Sequence, residues 1–89
     1  MSQLNNKIKD QFLIEFGENL RKIRIQKKLS QNELASRINN DAKKISRIEC
    51  GSYNFGVSSI LILAKALDVE VIQLFDIKNI KFLKNHIWE

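Results

Sequence analysis

Lys43, Lys44 and Arg47 close a stretch, residues 21–47, that also holds Arg21, Lys22, Arg24, Lys27, Lys28 and Arg37 against only Glu33 and Asp41. Its local charge is +7, while residues 1–20 sum to −1, residues 48–76 to −3 and residues 77–89 to +2. A basic segment on a near-neutral body suits a polyanionic partner, either nucleic acid or an anionic membrane surface, better than a small acidic substrate. Taken alone, such a run is as readily a solvated helical face. Bond-making chemistry has little to work with. His86 is the sole histidine and Cys50 the sole cysteine, and no metal-ligand spacing or Gly-rich phosphate loop is present. The carboxylates fall at helix surfaces and caps rather than in catalytic pairs. We therefore expect no enzyme, no metal and no cofactor.

The elements that position these cations belong to one small domain. With 89 residues, 44% of them apolar and 28% charged, the chain carries a net charge of +5 and has material for a single core. A domain of this size buries only about 60–65% of its unfolded surface, so every apolar contact counts and a partner subunit could complete the core. The longest apolar run, residues 60–64, is far short of the roughly 20 residues a membrane helix needs. The start of the chain has neither a basic nor an apolar targeting region, and a lone Cys50 fits a reducing compartment, so a cytoplasmic location is expected.

Helical periodicity dominates, and the sequence has no proline and three glycines. Phe12, Phe16, Leu20 and Ile23 line one face of a helix expected from about Gln11 to Lys28, leaving residues 1–10 as an N-terminal extension. Ser30 and Glu33 form a capping box, and Leu29 with Leu34 a hydrophobic staple, which starts a second helix at Gln31. That helix should stop at Asn39-Asn40, where Asn tolerates the left-handed conformation. Asp41 then caps a third helix with Ile45 and Ile48 facing inward and Gly51 just past its end. Gly56 caps a fourth helix, whose buried side is expected to be Val57, Ile60, Leu61, Ala64 and Leu67. Val71, Leu74 and Phe75 suggest a short fifth helix, and no strand is required before residue 76. The expected fold is all-α, with five helices and a short C-terminal extension.

Two short helices joined by a tight turn, the second opening with Lys43, Lys44 and Arg47, have the arrangement of a helix-turn-helix DNA reader. Leu29-Ser30-Gln31-x-Glu33-Leu34-Ala35, Ile45-Ser46-Arg47-Ile48-Glu49-x-Gly51, Leu63-Ala64-Lys65-Ala66-Leu67 and Leu74-Phe75 together resemble the lambda-repressor-like Xre family of transcriptional regulators. The likeness runs ungapped from about Phe16 to Phe75. Asn39 and Asp68 stand where the family often has Gly, Phe55-Gly56 where it has Pro and a Ser or Thr cap, and Cys50 where it is commonly polar.

The resemblance makes residues 42–49 the recognition helix and residues 11–75 the DNA-binding domain. Its chemistry agrees: Arg47 can give a bidentate pair to guanine O6 and N7, Lys43 can reach a guanine edge, and Ala42 can touch a thymine methyl. Lys44 and Ser46 complete the expected base-reading set. Gln31 resembles the family glutamine that clamps the DNA backbone, and Ser52, Tyr53 and Asn54 are further phosphate candidates. Arg24 and Glu49 match positions that form an ion pair between the first helix and the end of the recognition helix, a structural role.

The expected partner is double-stranded DNA, bound by a homodimer on a near-palindromic operator. The competing reading is an antitoxin or other protein-partner module that also binds its own promoter, with Leu13, Ile14, Ile62 and the tail meeting the partner. Residues 76–89 carry Ile77, Ile80, Phe82, Leu83, Ile87 and Trp88, too many apolar groups for a solvated tail. We expect a helical or irregular tail that serves as a dimerisation element; the alternative is a tail folded back on its own domain.

Overall fold

The computed structural model describes residues 2–77 and places five helices in them: α1 (Ser2–Gln26), α2 (Gln31–Arg37), α3 (Ala42–Glu49), α4 (Val57–Leu67) and α5 (Val71–Leu74). No strand occurs among the described residues. The second to fourth helices start where their caps predict, and the fifth spans Val71–Leu74, but α1 begins at Ser2 rather than Gln11. Apolar periodicity marks where a helix starts to pack. Once nucleated, a helix free of Pro continues because each added residue gains one hydrogen bond, and the polar stretch before Gln11 contains nothing to break it.

Phe16, Leu20, Leu34, Ile45, Ile48, Leu63, Leu67 and Leu74 are fully buried and draw on every helix. Around Phe16 the rings of Phe12, Phe55 and Phe75 gather at centroid distances of 5.7, 4.8 and 5.4 Å, which ties the middle of α1 to the loop before α4 and to the end of α5. The Asn19 amide adds a polar tie, donating at 2.9 Å to the carbonyls of both Gln73 and Leu74. Ile77 is buried, so the first apolar residue of the tail closes on its own domain; the rest of the tail lies outside the described residues.

Two corrections concern apolar faces. On α4, Val57 and Leu61 are exposed, at 78% and 57%, whereas Leu63 is buried beside Ala64 and Leu67. The stripe that meets the core is Ile60, Leu63, Ala64 and Leu67, an i, i+3, i+4, i+7 set one position round the helix from the expected one. On α1, Leu13 is buried and unavailable to a partner, while Ile14 and, on α4, Ile62 are exposed.

The substitutes for family glycines take up the required backbone. Asn39 has φ 55° and Asp68 φ 56°, both left-handed, and Lys28 at φ 60° ends α1 in the same manner. Gly17 is needed for a different reason: a Cβ there would sit 2.3 Å from the Ile48 carbonyl oxygen. The missing side chain lets α1 and α3 approach backbone to backbone, which fixes α3 on its support.

A candidate nucleic-acid interface

The site is built on the turn between α2 and α3. Ser30 Oγ accepts from the Glu33 amide at 3.0 Å and Glu33 Oε1 accepts from the Ser30 amide at 2.9 Å, closing the capping box above buried Leu29 and Leu34. The bond from the Ser30 amide, with the Ser30 hydroxyl adding to it, favours the charged carboxylate and holds the Glu33 pKa below its ordinary value. At the far end of α2 the Asn40 amide donates back to the Ala35 carbonyl at 2.9 Å. Asn40 Oδ1 accepts from the Asp41 amide at 3.0 Å, and Asp41 Oδ1 accepts from the Lys44 amide at 3.1 Å. The turn thus delivers α3 with its first helical turn capped and its axis set by Ile45 and Ile48, which are buried against the core.

Those two anchors leave the other faces of α3 outward. Lys43 and Arg47 are exposed, while Ala42, Lys44 and Ser46 are half-buried. The Lys43 and Arg47 side chains make no hydrogen bond or ion pair among the described residues, so their donors are available to a ligand. Lys44 is held differently: its ammonium lies 5.8 Å from the centroid of the Tyr53 ring, within cation–π range. Lys43, Lys44 and Arg47 share an open cleft of about 280 Å³ with Asn40, Asp41 and Tyr53. The structure therefore brings four of the expected contacts, Lys43, Lys44, Arg47 and Tyr53, to one concave surface. Asn54 is exposed beside it in the chain, and the Ser52 hydroxyl donates to the Arg47 carbonyl at 3.3 Å. A hydroxyl committed in this way holds the loop to the end of α3.

Arg24 and Glu49 form an ion pair joining α1 to the last residue of α3. Nε donates to Oε2 at 2.6 Å and Nη2 to Oε1 at 3.1 Å, with side-chain exposures of 10% and 3%. Arg24 Nη1 also donates to the Leu29 carbonyl at 2.7 Å. The hydrogen bond to Glu49 raises the Arg24 pKa against the opposing effect of burial. Gln31 Nε2 donates to the same Glu49 Oε1 at 3.1 Å, a contact absent from the sequence reading because it depends on how α1, α2 and α3 cross. Gly17 was also missed, although a glycine inside an otherwise regular helical face is itself a signal of close backbone approach. Among the described residues, no group of three His, Cys, Asp or Glu could hold a metal ion, and no helix is long and apolar enough to cross a membrane.

A capped helix, a tight turn and a second helix presenting free cations on a bundle of three supporting helices define a helix-turn-helix DNA-binding domain. The family model described as Helix-turn-helix matches residues 20–74, and the chain belongs to this lambda-repressor-like Xre family. Among solved structures, the chain is similar to the restriction-modification controller protein C.AhdI from Aeromonas hydrophila. The two are 41% identical with a TM-score of 0.69, over 71% of this chain and 91% of that one. It is also similar to a hypothetical transcription factor, NHTF, from Neisseria, at 30% identity and TM-score 0.71, over 80% and 82% of the two chains. A third likeness is to the restriction-modification controller protein C.Esp1396I, solved as a tetramer with its natural 35 base-pair operator. That match has 29% identity and TM-score 0.66 and covers 88% of this chain and 96% of that one. No curated protein matches the chain. The protein is a DNA-binding transcriptional regulator.

Proposed function

We propose that this regulator is a restriction-modification controller that binds its operator as a homodimer, with one α3 in the major groove at each half-site. The observation that carries this reading is the likeness to C.AhdI, which extends over 91% of that controller at 41% identity rather than over the turn alone. In this reading Arg47 pairs bidentately with guanine, Lys43 and Lys44 reach base edges, and Ala42 and Ser46 meet the groove floor. Gln31, Tyr53 and Asn54 contact phosphates, with the Ser52 backbone beside them. The protein acts in the cytoplasm.

Dimerisation places the two recognition helices about 34–36 Å apart, one turn of duplex. Residues 76–89 are proposed to contribute to the dimer. Val57 and Leu61, exposed and one turn apart on α4, and exposed Ile72 on α5 offer further apolar surface for it. The controllers' operator complex supports assembly on DNA, since C.Esp1396I is a tetramer there.

Selection of bound duplexes from a random library tests the reading. Enrichment of inverted repeats with half-site centres one helical turn apart is the expected result, and the winning sequence should occur beside restriction and methylation genes. Enrichment of single, unpaired half-sites would remove the homodimer, and no enrichment at all would remove the operator.

A further inference from the structure

We infer that Glu49 is a positioning residue for the backbone contact of Gln31: its carboxylate orients the glutamine amide before DNA arrives, and Arg24 cancels the charge that would otherwise repel phosphate. The inference rests on the reading of Gln31 as a phosphate contact and adds the device that presents it.

The observation is a closed ring of contacts. The Leu29 carbonyl accepts from Arg24, Arg24 grips Glu49 through two nitrogens, and Glu49 accepts from Gln31. Leu29 and Gln31 flank Ser30, the N-cap of α2, so the ring closes on the helix end that would face the DNA backbone. The orientation of the Gln31 amide follows from charge alone. Its oxygen turned toward a carboxylate would be repelled, so the NH₂ faces Glu49. One amide hydrogen is used there, and the second remains for a phosphate oxygen. A glutamine ordered in this way in the free protein has already lost the rotamer freedom that an unrestrained side chain surrenders on binding.

An anion beneath a phosphate contact needs an explanation, and the ion pair supplies it. The carboxylate is almost wholly buried and faces the guanidinium through both oxygens, so the group presented to DNA is a neutral amide backed by a neutralised pair. Glu49 thereby affects affinity without touching DNA. Because Gln31 is uncharged, its contact releases no counterion of its own, so affinity should fall while the salt dependence keeps its slope.

A thermodynamic cycle on the selected operator separates this role from a purely architectural one. Gln31→Ala should weaken binding about five- to tenfold, the magnitude of one hydrogen bond, with an unchanged salt slope. Glu49→Gln, measured at a temperature where circular dichroism shows it folded, should weaken binding by a similar factor. The double variant should be no more than about twofold weaker than Gln31→Ala. Phosphate ethylation interference should lose the same single position in both variants. Additive losses, or an ethylation pattern unchanged by Glu49→Gln, would overturn the inference while leaving the DNA-binding reading intact. Failure of the wild type to bind duplex would instead remove the reading beneath it. Should Glu49→Gln not fold, nitrogen relaxation of the free wild type decides. The Gln31 side-chain amide should be as ordered as the α2 backbone; motion equal to that of the exposed Gln26 amide would overturn the inference.

Discussion

The two faces of α3 treat their polar side chains in opposite ways. On the inner face Glu49 is buried and bonded to Arg24 and Gln31, and the backbone behind it lies against Gly17. On the outer face, Lys43 in the first turn and Arg47 in the last are exposed and hold no partner among the described residues. One face is assembled in the free protein; the other is left for a ligand to assemble. A DNA reader needs both properties. The helix must be held rigidly enough that a base contact has a defined place, while the donors that read the base must be uncommitted until it arrives. The cleft shared by Lys43, Lys44 and Arg47 makes the difference visible in one element, since Lys44 over the Tyr53 ring lies between the extremes.

The largest expected effect breaks the anchored face. Glu49→Ala removes one partner of a buried pair and should lower stability by about 3–5 kcal/mol, read from urea unfolding. A loss under about 1 kcal/mol would mean that water, not Glu49, satisfies Arg24. Gly17→Ala comes next. Alanine ordinarily stabilises a helix interior, yet here its Cβ would meet the Ile48 carbonyl, so a loss of roughly 1–3 kcal/mol is expected. Asp41→Ala removes only the N-cap of α3 and should cost about 1 kcal/mol.

The smallest effect concerns pH. Glu33 has a folded pKa held below its ordinary value of 4.5, so its stabilisation is present above that value and is lost as pH falls through the folded one. Glu33→Gln resembles the protonated side chain. The melting-temperature advantage of the wild type over Glu33→Gln should therefore narrow as pH is lowered below about 4.5. An advantage that stayed constant down to pH ~2 would mean that the carboxylate charge contributes nothing to the capping box.

These contrasts also mark how far the fold and site could be read from sequence. Local signals sufficed for the turn, because Ser30, Glu33, Asn39 and Asp41 act through their own backbone neighbourhood. The exposed cations of α3 followed from the inward positions of Ile45 and Ile48. Faces chosen by distant partners did not. Periodicity on α4 allowed stripes through Leu61 or through Leu63, and only packing against the other helices selects the second. Gln31 was recognised as a candidate contact while its bond to Glu49, eighteen residues away, was not, since no spacing rule encodes a helix crossing. The expectations for residues 78–89 lie outside the described residues.

The central claim is that α3 reads bases through Arg47, and guanine methylation interference tests it most directly. Methylation at N7 blocks the acceptor that a bidentate arginine needs in the major groove. On the selected operator, one guanine per half-site should be intolerant of methylation for the wild type and tolerant for Arg47→Ala. That variant should bind about 1–3 kcal/mol more weakly, lose its preference at that base pair and unfold within about 0.5 kcal/mol of the wild type. Identical interference patterns and base preferences for the two proteins would contradict the assignment of α3 as the reading helix.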